Sequence, residues 1–204
     1  MKRALHYLCF ASLLALLVSL PGWTARVGEP APDFSAKDTF GKTYTLSEYK
    51  GKYVVLEWHN RYCPYTHKHY ASGNMQRLQK EWTARGVVWF TVISSAPGLQ
   101  GYVTAADENA YVSRVNAAPT AVLLDPSGQL GHLYEARTTP DMYIINPQGV
   151  LIYEGAIDDK PTTDIADVAT ARNYVSVALE EAMAGKSVSV AVTRPYGCSV
   201  KYAN

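Results

Sequence analysis

From residue 26 onward the chain alternates between dense apolar runs and amphipathic stretches. K-Y-V-V-L-E-W-H (52–59) and V-V-W-F-T-V-I-S (87–94) carry β-branched and aromatic residues at almost every place. That composition suits strands buried on both faces. T-A-V-L-L-D (120–125), closed by a P-S-G turn, is a third strand of the same kind. Between them the period changes. From Pro64 to about Arg85, Met75, Leu78 and Trp82 recur at three and four, which predicts one helix stopped by Gly86. A Gly/Pro-containing loop (95–103) leads into a second helix over 104–116. D-T-F-G-K-T-Y-T-L (38–46) alternates about a glycine and reads as a hairpin. D-M-Y-I-I-N (141–146), the P-Q-G turn and V-L-I-Y-E-G (150–155) make another. A polar loop (156–165), a last helix over about 166–184 and a tail complete the chain. Strand–helix–strand–helix, then hairpin and helix, predicts an α/β fold. Its mixed central β-sheet is flanked by helices, with an N-terminal hairpin extension and a C-terminal tail.

The first 25 residues break this pattern. Lys2 and Arg3 precede an almost wholly apolar run from Leu8 to Leu20, Pro21 and Gly22 end it, and Trp23-Thr24-Ala25 finishes on a small residue. This is the layout of a secretory leader, and the run is short of the roughly 20 residues that a membrane span needs. The expected organisation is therefore a leader over 1–25, one domain over 26–185 and a tail over 186–204. Export places the mature protein in the periplasm or another extracytoplasmic compartment, with no membrane attachment once the leader is gone.

Removing 25 of the 204 residues leaves 179, takes Lys2 and Arg3, and moves the net charge from +1 to −1. Such a balance gives no basis for polyanion binding, so nucleic acid is not an expected partner. Cys9 leaves with the leader, and Cys63 and Cys198 remain. Two cysteines in an oxidising compartment are enough for one internal disulfide.

Cys63 stands where the first long strand gives way to a helix, in E-W-H-N-R-Y-C-P-Y-T-H-K-H (57–69). A cysteine at a helix N-terminus meets unpaired backbone N–H groups and the positive end of the helix dipole, both of which favour the reactive thiolate. Pro64 suits the first helical position because it has no N–H to leave unpaired.

V-G-E-P-A-P-D-F (27–34), G-K-T-Y-T-L-S-E-Y-K-G-K-Y-V-V-L (41–56) and T-T-P-D-M-Y-I-I-N-P-Q-G (138–149) are three further segments to place. Together they resemble the thioredoxin-like superfamily, in the redoxin branch of AhpC/TSA-type peroxiredoxins and TlpA-like proteins. More narrowly, the ending P-Y-G-C-S-V-K-Y (195–202) is similar to that of a peroxiredoxin-like group of exported proteins. The resemblance implies that Cys63 is the nucleophile. It makes Glu57, six residues earlier, a candidate proton shuttle; the other reading is a surface glutamate on the strand. It makes Pro140, after Thr139, the cis-proline beside the sulfur, with Pro119 the competitor. Tyr62, Pro64, Thr66, Thr139 and Pro140 are then expected to line the substrate groove. The implied partners are protein or small-molecule thiols and disulfides, with no cofactor.

The chain also departs from these patterns. Thr66 occupies the place of the second cysteine of a C-x-x-C pair, so no local disulfide forms; its hydroxyl is in position to bond the Cys63 thiolate. The peroxiredoxin pattern has a proline seven before the cysteine and a hydroxyl residue three before it. Here those places hold Leu56 and Asn60, which argues against efficient peroxide reduction. A lone nucleophile needs a partner thiol to complete a two-electron cycle, and Cys198 is the other cysteine of the mature chain. Three readings stay open: Cys198 resolves Cys63, the two form a permanent staple, or they remain apart. A different class of function is a copper- or zinc-binding module built on Cys63 and His67 of C-x3-H-x-H, with His132 a distant third ligand. On a helix His67 would share a face with Cys63 while His69 points away. Against it stands the reading of His67, Lys68 and His69 as a solvated face. A weak peroxidase and a binding domain without redox chemistry complete the set.

Overall fold

The computed structural model describes residues 24–203. Apart from Thr24 and Ala25, the expected leader lies outside the described residues. Ala25 is buried, and its N–H reaches the Leu133 carbonyl at 3.4 Å.

The chain opens with a hairpin, β1 (Ser35–Asp38) and β2 (Thr43–Thr45). Next come β3 (Val54–Trp58), α1 (Pro64–Ala71), α2 (Asn74–Ala84) and β4 (Val88–Ile93). They are followed by α3 (Ala105–Arg114), β5 (Ala121–Leu124) and α4 (Gln129–Leu133). The short β6 (Thr138–Thr139) precedes the hairpin of β7 (Asp141–Ile145) and β8 (Leu151–Gly155). Then come α5 (Tyr174–Met183) and β9 (Cys198–Ser199). A seven-stranded sheet runs β2-β1-β5-β4-β3-β7-β8. β3, β4 and β5 are parallel neighbours, and the other pairings are antiparallel. β6 pairs with β9 in a separate two-stranded ribbon.

The period of two along β3 divides the interior. Val54, Leu56 and Trp58 join a core with Phe34, Phe90 and Tyr134 on one face of the sheet. Val55 faces the other core, built with Met75, Leu78 and Trp82 of α2 and Val175 and Leu179 of α5. Burying side chains of this size stabilises the fold by roughly 1.5–3 kcal/mol each. Glu57 shares the face of Val55, so its carboxylate enters an apolar core.

Two expectations change. The single helix over 64–85 is two helices, because Ser72 and Gly73 interrupt it. Gly73 has φ +75°, a left-handed conformation that no continuing right-handed helix can include. The last helix begins at Tyr174, where the Asn173 side chain accepts the Ser176 N–H. The stretch before it, Ile165–Ala169, is a short 3-10 turn capped by Asp164. The tail carries β9, directly at Cys63.

Candidate active site

Cys63 is the N-cap residue of α1, with Pro64 at the first helical position. Its side chain has no exposed surface. The Thr139–Pro140 bond is cis, and Cys63 Sγ lies 3.0 Å from the Thr139 carbonyl, to which the thiol donates. The Cys198 N–H points at the same sulfur from 3.4 Å. Burial alone would push the Cys63 thiol up. The Cys198 side chain, the Thr66 N–H, the Thr139 side chain and the Cys198 N–H overrule burial and hold it below the ordinary thiol range. Cys198 moves the opposite way. Burial, and then its hydrogen bond to Cys63, push it up to about 12. The pair is asymmetric: one sulfur is prepared as a thiolate, and the other is held as the thiol that donates to it. Both cysteines are free thiols in this structure.

The tail brings Cys198 there through successive contacts. The Tyr196 hydroxyl donates to buried Asp158, and its ring packs edge-on against Tyr65 of α1, 5.8 Å between centroids. Gly197 has φ +144°, and a Cβ there would lie 2.1 Å from the Thr139 carbonyl oxygen. Glycine is therefore required at this close approach. Cys198 then pairs with Thr139, and Ser199 with Thr138. The Val200 N–H donates to the Arg137 carbonyl at 3.0 Å. Tyr202 stacks on His132 at 4.0 Å and donates to the Ala136 carbonyl at 2.7 Å.

The remaining groove candidates divide by exposure. Tyr62 and Pro64 are exposed beside Cys63, and Tyr62 accepts a hydrogen bond from Arg61 at 2.9 Å. Thr139 is buried. Thr66 is buried too, but its hydroxyl has no hydrogen-bond partner, and its backbone N–H serves the sulfur instead. The expected hydroxyl–thiolate bond is thus replaced by the helix N-terminus itself.

Glu57 is fully buried, so the surface-glutamate reading falls. Four donors hold its carboxylate: Tyr70 at 2.8 Å on Oε1, and Gln79, Trp89 and Thr91 at 3.0, 2.8 and 3.2 Å on Oε2. These ties run to α1, α2 and β4, and none runs to Cys63. Beside it lies a group that the sequence did not single out. His59 sits between Glu57 and Glu108 at 3.6 and 3.7 Å, with neither ring nitrogen hydrogen-bonded. Arg61 lies 3.5 Å from Glu108. Burial pushes the Glu108 carboxyl up, against the pull of His59 and Arg61.

The C-x3-H-x-H stretch also reads differently in three dimensions. Lys68 and His69 are fully buried, and His67 is the exposed member. The solvated-face reading fails for two of the three residues, because the 158–160 segment and Tyr196 cover that side of α1. Lys68 Nζ donates to the Lys160 carbonyl at 2.7 Å and lies 3.8 Å from Asp158. His69 Nδ1 faces the Asn74 amide at 3.0 Å and Nε2 faces the Tyr196 hydroxyl at 3.4 Å. Burial lowers the His69 pKa to about 4. His67 and Cys63 share no enclosed site, one being exposed and the other sealed, and His132 is taken up by Tyr202. No sequence signal marked Asp158, which comes from a loop distant along the chain.

Comparison with known proteins agrees with this architecture. The family model described as AhpC/TSA family matches residues 27–154. The thioredoxin-like protein YneN of Bacillus subtilis is 27% identical over 161 residues, 72% of this chain and 89% of that one. The thiol-disulfide oxidoreductase ResA of Halalkalibacterium halodurans is 27% identical over 128 residues, 63% of this chain and 67% of that one. The crystal structure of a thiol:disulfide interchange protein DsbE from Chlorobium tepidum superposes with a TM-score of 0.52 at 24% identity. It covers 64% of this chain and 85% of that one. The fold is thioredoxin-like, and the chain belongs to the AhpC/TSA family.

Proposed function

We propose that the protein is an exported thiol–disulfide oxidoreductase whose Cys63 attacks a substrate disulfide and whose Cys198 resolves the product. The observation that carries this reading is the convergence of the Cys198 thiol and N–H on Cys63 Sγ. The relationship to a protein named a thiol-disulfide oxidoreductase supports the same chemistry. The Cys63 thiolate attacks one sulfur of the substrate disulfide. A mixed disulfide forms, and the other sulfur leaves as a thiolate. Cys63 has then lost its negative charge, and with it the hydrogen bond and the charge that act beside burial to hold the Cys198 proton. Cys198 loses that proton, attacks Cys63 Sγ and expels the second substrate thiolate. Two protein thiols have been oxidised and one substrate disulfide reduced. An external dithiol returns the Cys63–Cys198 disulfide to the starting state. Tyr62 and Pro64 form the rim that meets the substrate, and Thr139 and Pro140 form the wall.

The test is a thiol count by mass spectrometry on leader-free protein, alkylated before and after equilibration in graded redox buffers. A Cys63–Cys198 disulfide that opens at a mild potential is expected, and Cys63→Ser is expected to abolish reduction of a model disulfide. A link that opens only under strongly reducing conditions would identify a structural staple and overturn the cycle. So would failure of the two cysteines to pair on oxidation.

A further inference from the structure

Cys63 has no exposed surface, and the group that covers it is the chain's own C-terminus. β6 takes β9 as its strand partner, so the edge beside the sulfur is already filled. From Tyr196 to Tyr202, successive residues of the covering segment are anchored one by one. Tyr196 is held by Asp158, which Lys68 and His69 also approach at 3.8 Å. Gly197 passes against the Thr139 carbonyl, where no side chain fits. Val200 packs against the core, and the Lys201 carbonyl accepts the Ala96 N–H at 2.8 Å. Yet the segment is not a core element. Most of its residues are half-exposed, and only two of them are in a strand. Its attachment is a row of separable contacts, and segments of that kind open at a free energy well below that of global unfolding.

We propose that residues 195–202 are a strap that closes the site while both cysteines are reduced. In this state Cys63 is shielded, and an external disulfide reaches it only after the strap lifts from the Thr138–Thr139 edge. The inference rests on Cys63 being the reactive thiol, and it adds a gate to that reaction. The strap also shows what can take its place. An incoming chain that follows the same path has to be extended and has to present glycine, or no side chain, opposite the Thr139 carbonyl.

The test uses the full reduced chain and measures the rate at which Cys63 is alkylated by iodoacetamide, read by peptide mapping. Wild type is expected to react slowly. Gly197→Ala puts a Cβ against the Thr139 carbonyl in a backbone region that is nearly glycine-only. That strain shifts the balance toward the open strap, with alkylation faster by roughly tenfold or more. A peptide of residues 193–202 carrying Cys198→Ser is expected to slow alkylation of the Gly197→Ala protein again. The same peptide with alanine for glycine is expected not to. Circular dichroism checks that the variant is folded. If it is not, Tyr196→Phe, which removes the hydroxyl on Asp158, carries the same prediction with a smaller acceleration. Wild-type Cys63 reacting as fast as the variants would overturn the strap, and so would a peptide that gives no protection. Measured across pH, so that the thiolate fraction of Cys63 is divided out, alkylation reads access, whereas the redox titration reads pairing. The gate can therefore fail while the disulfide cycle stands, and the cycle can fail while the gate stands.

Discussion

At the scale of single residues, the two sulfurs set each other's proton affinity, and that coupling can be measured. Cys198→Ala removes the thiol that donates to Cys63, so the Cys63 pKa is expected to rise. Cys198→Ser keeps a donor of similar reach, so it is expected to hold the Cys63 pKa near that of wild type. Thiolate ultraviolet absorbance against pH separates the two variants. Equal midpoints for the alanine and serine variants would show that backbone N–H groups alone stabilise the thiolate. The place of Cys63 is legible in the sequence because a β-branched and aromatic run followed by Cys-Pro marks a strand–helix junction. Thr66 shows the limit of that legibility. Its position matches the missing cysteine, but whether the hydroxyl or the N–H faces the sulfur depends on how the first turn sits in the fold. Glu57 shows it again: strand alternation fixes its face, whereas the identity of its four donors depends on α1, α2 and β4 meeting around it.

At the scale of elements, the break between α1 and α2 lets α1 bring Cys63 to one end and Tyr70 to Glu57 at the other while α2 packs across the core with Met75, Leu78 and Trp82. The break is held by the left-handed Gly73, and a Cβ at that position would meet nothing within 4 Å. Gly73→Ala thus introduces backbone strain without a clash, and a loss of about 1–2 kcal/mol is expected in urea unfolding. No loss, or a gain, would mean that the chain can run helical through Ser72 and that glycine does not enforce the break. The apolar spacing of 75, 78 and 82 revealed a helix but not this interruption, because the periodicity of α2 is intact on its own and α1 supplies little apolar signal. β3, β4, β5 and the β7–β8 hairpin were readable because each is a run of branched and aromatic residues bounded by turn formers. β9 was not. Two residues carry no period, and they form a strand only because β6 is alongside.

At the scale of the whole molecule, two buried groups far apart in the chain pull stability in opposite directions with pH. Burial lowers His69 to about 4, so in weakly acid solution the unfolded chain holds a proton there that the native protein lacks. Stability from that site rises with pH until the unfolded histidine itself titrates, near its ordinary 6.5. Asp141 is raised to about 7 by burial, against the N–H groups of Arg137 and Thr138 and with a further push from Glu154. The native protein keeps its proton where the unfolded chain, with an ordinary value of 3.8, has lost it. Stability from this site falls as pH climbs toward 7. One proton corresponds to about 1.4 kcal/mol per pH unit, so the two slopes oppose each other over the weakly acid range. Comparing each variant with wild type cancels the other titrating groups. From about pH 5 to 6.5, Asp141→Asn is expected to gain roughly 1–2 kcal/mol relative to wild type, and His69→Gln to lose about as much. Denaturant unfolding at the two ends of that window measures both. Variants that track wild type in parallel would mean that these sites take up and release protons alike in the folded and unfolded chains. His69 carries its shift because the 158–160 segment and Tyr196 cover its side of α1 and keep water from it, whereas Asp141 owes its own to burial on β7.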